Sequence, residues 1–272
     1  MNSIKPMGKP VTNGNGEAIA FRAVYYRVEN GSGASRELVS GVELAVRNGE
    51  TLVLLGRSGS GKTTLLRLIN GMLLPSSGAV EVEGRVTKEW DLIRLRRGIG
   101  YVIQEGGLFP HFTVAENVGL VPTLENWDEG RKKARVEEVL NIVGLDAKEF
   151  GGRKPRELSG GQRQRVGVAR ALAADPKILL MDEPFAAVDP VTRAELQKEF
   201  RELARRLGKT IVFVTHDLRE ALFLATKIVL LAGGKMVASG APENFLKIDH
   251  PEVRAFAESL VVADADRVGE SA

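Results

Sequence analysis

The chain of 272 residues has no cysteine, which excludes disulfides and thiolate-bound metals and is consistent with a reducing compartment. The cytoplasm is therefore the expected location. Long hydrophobic runs are also missing. The longest, "KILLM" and "TKIVLLAGG", fall far short of the ~20 residues that span a bilayer, so the chain is not expected to cross a membrane unaided. The N-terminal stretch "MNSIKPMGKPVTNGNGEA" lacks the apolar centre of a secretory signal, and its Pro, Gly and Asn predict a flexible tail over residues 1–16. Neither sign of charge dominates. The 38 Lys and Arg are spread among 35 Asp and Glu, for a net charge of +3, and without a basic block nothing points to nucleic acid as a partner. No internal repeat is visible. What is present, 43% hydrophobic residues over this length, suffices for one large domain with room for a subdomain.

"AIAFRAVYYRV" and "ELVSGVELAV" alternate as strands do, with "ENGSGASR" as the turn between them, and predict an antiparallel sheet at one edge. "TLVLLG" is a buried strand followed by a Gly-rich turn and the helical pattern "KTTLLRLINGML". "GAVEVEG" and "IGYVIQ" read as further strands. From Thr113 to about Lys177 the pattern turns helical, opening on a Thr113-x-x-Glu116 capping box and continuing through "DEGRKKARVEEVLNIVGL". "KILLMDE", "TIVFVTHD" and "TKIVLLAGGKMVAS" restore the strands, a helix starts at Asp189-Pro190, and "PEVRAFAESL" forms a short terminal helix. The predicted class is α/β: a P-loop (RecA-like) core with an antiparallel β subdomain and an inserted α-helical subdomain at about 113–177.

"GRSGSGKTT" fits the phosphate-binding pattern G-x-x-x-x-G-K-[ST] and lies between a strand and a helix. A Gly-rich turn can match the pattern by accident, but the strand–loop–helix context is what phosphate binding requires. Gly56, Arg57, Ser58, Gly59, Ser60, Gly61, Lys62, Thr63 and Thr64 form the expected nucleotide set. Gly59 and Gly61 let backbone N–H groups face the phosphates, Lys62 reaches the β- and γ-phosphates, and the Thr63 hydroxyl can hold Mg²⁺. "KILLMDEP" ends a buried strand in two acids. On its own such a pair is more often a helix cap or a solvated strand end. Downstream of a P-loop, Asp182 becomes a Mg²⁺ ligand and Glu183 a general base. His216, at the end of "TIVFVTH", is placed to face the γ-phosphate, although a lone His is usually a surface or core residue. Gln104, an ordinary polar strand end in most proteins, is here a ligand for Mg²⁺ or water.

A second Gly-rich stretch, "RELSGGQRQRVGVAR", has no Lys after its glycines. Residues 17–247 as a whole resemble the ATP-binding cassette (ABC) ATPases, and "LSGGQ" at Leu158 to Gln162 matches that family's signature. The resemblance implies ATP and Mg²⁺ as cofactors and two cassettes paired head to tail, with Ser159, Gly160, Gly161 and Gln162 of one closing over the nucleotide of the other. Ser159-x-x-Gln162 also reads as a capping box, and the two roles are compatible. By the same resemblance Gln104 is the Q-loop glutamine, Asp182 and Glu183 the Walker B pair, and His216 the switch histidine. Lys62, Gln104, Glu183 and His216 are then the catalytic set, and Asp189 lies in the D-loop. There "AAVD" departs from the usual S/G-A-L-D at Ala186 and Val188. The adenine-stacking aromatic usually falls near Val28, so Tyr25 or Tyr26 would substitute, and Tyr26 is taken as the candidate.

The resemblance is narrower around "IGYVIQEGGLFPHFTVAENVGLVP" and "LSGGQRQRVGVARALAADP", which look like the ATPases of osmoprotectant and quaternary-amine importers. It implies a homodimer or paired cassette at the cytoplasmic face of the inner membrane, bound to integral permease subunits and fed by an extracytoplasmic solute-binding protein. Glycine betaine, choline or carnitine is the implied cargo. Some members end in paired nucleotide-sensing modules, for which the 248–272 helix and tail are too short. Competing readings are an importer of another small solute, a soluble cassette ATPase acting on nucleic acid or ribosomes, and a P-loop kinase; the last leaves "LSGGQ" and His216 unexplained.

Overall fold

The computed structural model describes residues 16–29, 35–104, 107–186, 188–258 and 260. The expected tails and the "ENGSGASR" turn lie largely or wholly outside these residues. In chain order the elements are β1 (Glu17–Glu29), β2 (Ser35–Arg47), β3 (Thr51–Leu55), α1 (Lys62–Ile69), β4 (Ser77–Val82), β5 (Arg85–Val86), α2 (Leu92–Gly98) and β6 (Ile99–Val102). Helices α3 (Val114–Val118), α4 (Leu120–Leu124), α5 (Glu129–Ile142), α6 (Ala147–Phe150) and α7 (Gly160–Leu172) follow. The chain then returns to β7 (Ile178–Asp182), α8 (Pro190–Leu207), β8 (Thr210–Thr215), α9 (Leu218–Leu224), β9 (Lys227–Ala232), β10 (Lys235–Gly240) and α10 (Pro242–Phe245). A last helix covers 251–258.

The strands form two sheets. One is antiparallel, ordered β2-β1-β4-β5, and the other runs β10-β9-β3-β8-β7-β6, parallel except for the β9–β10 hairpin. The short apolar runs have no polar face because both faces are covered. Leu52 and Leu54 of β3 point into a core shared with β1, β2 and α1, whereas Val53 and Leu55 point into one shared with α5, α7 and α8. The same alternation recurs on β8, with Val212 and Val214 against Ile211 and Phe213. Among the described residues no helix is long and apolar enough to cross a membrane.

Two local differences from the sequence reading have simple causes. α1 stops at Ile69 instead of running through "NGML", because Asn70 leaves the helix and Gly71 turns left-handed at φ +66°. Within "DLIRLRRG", α2 forms where no helix was expected. It is short, and the Asp91 side chain caps it by accepting the N–H groups of Ile93 and Arg94.

The sheets meet at the P-loop. Ser40 N–H donates to the Gly234 carbonyl at 2.9 Å, and Gly234 N–H donates to the Ser60 carbonyl at 3.2 Å. A Cβ on Gly61, whose φ is +102°, would stand 2.7 Å from the Leu38 carbonyl oxygen. β2, the P-loop and the β9–β10 turn are thus stitched at one point.

Candidate active site

Parallel pairing of β3, β7 and β8 brings three chain ends to one edge of the larger sheet, where ligands of open α/β sheets bind. The P-loop follows β3. Lys62 is 5% exposed, and its Nζ donates to the carbonyls of Gly56 at 2.7 Å and Arg57 at 2.9 Å. Burial lowers its pKa, opposed by the charges of Glu183 and Asp182. Its buried ammonium is held by two main-chain carbonyls with the Glu183 and Asp182 carboxylates nearby, and it can exchange those carbonyls for an anion.

β7 ends in Asp182, whose Oδ1 accepts the Thr63 hydroxyl at 2.9 Å. Burial raises the carboxyl's pKa, and the Thr63 bond works against that shift. Tyr101 donates to Oδ2 at 3.4 Å, its own pKa pushed up to about 12 by burial and by the neighbouring Asp182 charge. A hydroxyl and a carboxylate oxygen this close form a hard donor set that suits Mg²⁺, and they leave its other positions to phosphate and water. No group of three or more His, Cys, Asp or Glu side chains able to hold a metal occurs among the described residues; the fit therefore rests on the Thr63–Asp182 pair.

Glu183 follows at φ +44°, in the left-handed region. That conformation costs on the order of 1 kcal/mol for a non-glycine residue and needs its neighbours to enforce it. Glu183 N–H donates to the Val214 carbonyl at 3.1 Å, and Ala186 N–H returns to the Glu183 carbonyl at 3.2 Å. Phe185 is buried against Phe213 and Phe200, with ring centroids 5.7 and 6.2 Å away. So held, the Glu183 Oε2 lies 3.0 Å from Nδ1 of His216, the residue after β8. Arg57, Ser58, Gln104, Glu183, His216, Ala255 and Phe256 line one open cleft of about 640 Å³. Gln104 is two residues past β6, in a turn and not at the strand's end. Ala255 and Phe256 are wall residues that the sequence did not suggest; they belong to the 251–258 helix, whose Glu252 pairs with Arg57 at 3.7 Å.

The signature residues stand at the start of α7. Ser159 Oγ accepts Gln162 N–H at 3.2 Å, and Gln162 Oε1 accepts Ser159 N–H at 2.9 Å. The capping box is therefore real, and Ser159 remains exposed, its hydroxyl proton with no acceptor among the described residues. Gly161 has an intrachain reason to be glycine: a Cβ there would meet Thr192 Cγ2 at 2.8 Å. The "LSGGQ" pattern by itself does not reveal this packing contact with α8. Asp189 caps α8 by accepting Thr192 N–H at 3.0 Å, a bond that lowers its pKa. Tyr26 is half-buried on β1 opposite Val39, next to the Leu38 that backs the P-loop.

Between β6 and α7 an exposed aromatic pair, Phe109 and Phe112, stands with centroids 5.4 Å apart. Asn117 holds it. Fully buried, it accepts the N–H of Phe109 at 2.8 Å and donates to the carbonyls of Phe109, Phe112 and Thr113. Leu108, by contrast, packs on the core.

Residues 39–186 match the ABC transporter family. The chain belongs to that family. It is 50% identical over 212 residues to the glycine betaine/carnitine/choline transport ATP-binding protein OpuCA of Bacillus subtilis, covering 78% of this chain and 56% of that protein. It is 49% identical over 214 residues to the osmoprotectant import ATP-binding protein OsmV of Salmonella typhimurium, covering 79% and 56%. This ABC chain thus spans a little over half the length of these curated relatives. Its fold matches the ATP-binding cassette MJ0796 in a dimeric post-hydrolysis state bound to ADP and Pi, with a TM-score of 0.74 and 33% identity over 82% of this chain and 98% of that one. The α/β fold is that of an ABC cassette.

Proposed function

We propose that this chain is the ATP-hydrolysing subunit of an osmoprotectant importer, working as a pair of cassettes at the cytoplasmic face of the plasma membrane. The observation that carries the reading is convergence. Lys62, the Thr63–Asp182 pair and the Glu183–His216 pair lie at the ends of adjacent parallel strands, in a chain about half identical to ATP-binding proteins of glycine betaine, carnitine and choline transport.

Backbone N–H groups of the P-loop and the start of α1 receive the phosphates, and Lys62 exchanges its two loop carbonyls for phosphate oxygens. Thr63, Asp182 and, at the cleft wall, Gln104 would hold Mg²⁺, which when bound neutralises phosphate charge. Glu183 accepts a proton from the attacking water, and His216 orients that carboxylate through Nδ1 at the side of the cleft where the γ-phosphate would lie. Ser159, Gly160, Gly161 and Gln162 of a second copy close the site, and Asp189 stands at its edge. Tyr26 is the proposed adenine contact.

Permease subunits are proposed to dock on Phe109 and Phe112, because Asn117 presents both rings to solvent at little cost in loop entropy. The cargo is a small quaternary amine such as glycine betaine, choline or carnitine. Aromatic residues of a separate binding protein would recognise it through cation–π contacts. In a reconstituted complex, glycine betaine with its binding protein should raise ATPase activity several-fold. Phe109→Ala with Phe112→Ala should remove that rise and leave basal hydrolysis within about twofold. Stimulation by an amino acid, phosphate or a sugar, with none by quaternary amines, would discard the cargo. Unchanged coupling in the double variant would discard the docking surface.

A further inference from the structure

Glu220, one turn into α9, is 7% exposed, and the reaction outlined above makes no use of it. Its Oε1 accepts Gln197 Nε2 of α8 at 2.7 Å. Its second partner is the Thr215 hydroxyl. That hydroxyl also accepts Asp217 N–H at 3.0 Å, so it stands between the carboxylate and the turn after His216. Glu220 is thereby coupled to the residue before His216 and, through it, to the turn after His216. Burial raises the Glu220 pKa, the two hydrogen bonds oppose that shift, and Asp217 and Arg193 act in opposite senses.

The α8 side leads back to Glu183. Arg193 lies one turn before Gln197 on the same helix face. Its guanidinium donates to the carbonyls of Val188 at 2.9 Å and Ala186 at 3.5 Å. Ala186 N–H is bonded to the Glu183 carbonyl, and the Glu183 carboxylate lies 3.0 Å from His216. Side-chain and main-chain contacts, one turn of α8 between Arg193 and Gln197 and the peptide link from Thr215 to His216 connect these groups in a loop: Glu183, the turn at Ala186 and Val188, Arg193, Gln197, Glu220, Thr215 and His216.

We propose that Glu220 is a positioning residue that sets the Glu183–His216 pair by tying both flanking turns to one buried carboxylate. The proposal rests on the reading that this pair carries hydrolysis. A buried carboxylate restrains the donors that bond it, and removing it leaves those donors without their acceptor. Without the carboxylate, Gln197 loses its acceptor, Thr215 and Arg193 lose a neighbouring negative charge, and the turn bearing His216 is loosened. The P-loop is untouched, so nucleotide affinity should be spared.

The test uses the full chain, with steady-state MgATP hydrolysis and binding of the fluorescent analogue TNP-ATP measured side by side. Glu220→Ala should lower kcat about tenfold while KM and the TNP-ATP Kd stay within about twofold. Glu220→Gln, which keeps an acceptor for Gln197, should recover kcat to within about threefold of the parent. Arg193→Lys keeps the buried acid but loses the fork on Val188 and Ala186, and should lower kcat a few-fold with Kd unchanged. In a Glu183→Gln background, Glu220→Ala should change the residual rate less than about twofold, because both act at one step. The proposal is overturned by a Glu220→Ala kcat within twofold of the parent, or by kcat and Kd worsening together in step with a falling folded fraction. If Glu183→Gln alone keeps near-parent turnover, the hydrolytic pair itself fails. That outcome is separable, because the split between kcat and Kd at Glu220 is read in a chain with Glu183 intact.

Discussion

Glu183→Gln should hydrolyse ATP at least about a hundredfold more slowly than the parent chain while still binding MgATP. The amide keeps the size of the side chain and can still meet His216, so the geometry of the turn at φ +44° and its bond to Val214 is preserved. What it loses is a lone pair basic enough to take a proton from water. Lys62, Thr63 and Asp182, which on the proposed reading meet the nucleotide and its metal, are unaltered, so affinity should be retained. With hydrolysis blocked, ATP should accumulate on the chain and hold two copies together. Size-exclusion chromatography with MgATP, beside a phosphate-release assay, reads both effects. Near-parent turnover would remove Glu183 from the role of base.

The second large effect is a pair of inactive proteins that restore each other. Lys62→Ala removes a charge-assisted contact of about 1.5–3 kcal/mol, roughly a 10- to 150-fold loss of nucleotide affinity. Ser159→Arg fills the exposed start of α7 with a bulky cation and removes a helix cap, at about 1 kcal/mol of stability. Each alone should be close to inactive. If one chain's Ser159 serves the other's P-loop, a mixed dimer regains one whole site, made of the P-loop of the Ser159→Arg chain and the Ser159 of the Lys62→Ala chain. Random mixing makes about half the dimers mixed, each with one of two sites, so about a quarter of parent activity should return. Hydrolysis by Ser159→Arg as a strict monomer would sink the head-to-tail arrangement.

The parts of this site that were legible in the sequence are contiguous. A P-loop needs its glycines, Lys62 and Thr63 within nine residues between a strand and a helix, and buried parallel strands advertise themselves as unbroken apolar runs. Asp182, Glu183 and His216 could be read because each comes at or just after the end of such a run. Tyr101, Arg193, Asn117 and Glu220 could not. Each acts through a partner brought close by the fold, as Tyr101 meets Asp182 across 81 positions and Gln197 meets Glu220 across 23. Asn117 and Glu220 do carry one signal, a polar residue amid apolar helix positions, but the pattern does not say what they bond. Gly161 shows the converse: its place in "LSGGQ" drew attention to phosphate, while its contact with Thr192 could be seen only once α7 and α8 had been packed.

The stitch at Gly61 makes that residue a poor choice for an inert control. A methyl group there would press on the Leu38 carbonyl of the neighbouring sheet and would be held at φ +102°, so Gly61→Ala should lower the apo melting temperature through about 2 kcal/mol or more of strain. Lys62→Ala cuts only two bonds of a side chain to its own loop. A calorimetric comparison of the two without nucleotide should show the glycine variant melting earlier, and equal melting would mean the joint is soft. Silencing the site at the lysine tests binding; silencing it at the glycine also takes apart the seam between two sheets, and an inactive protein would then report a broken scaffold as if it were a lost ligand.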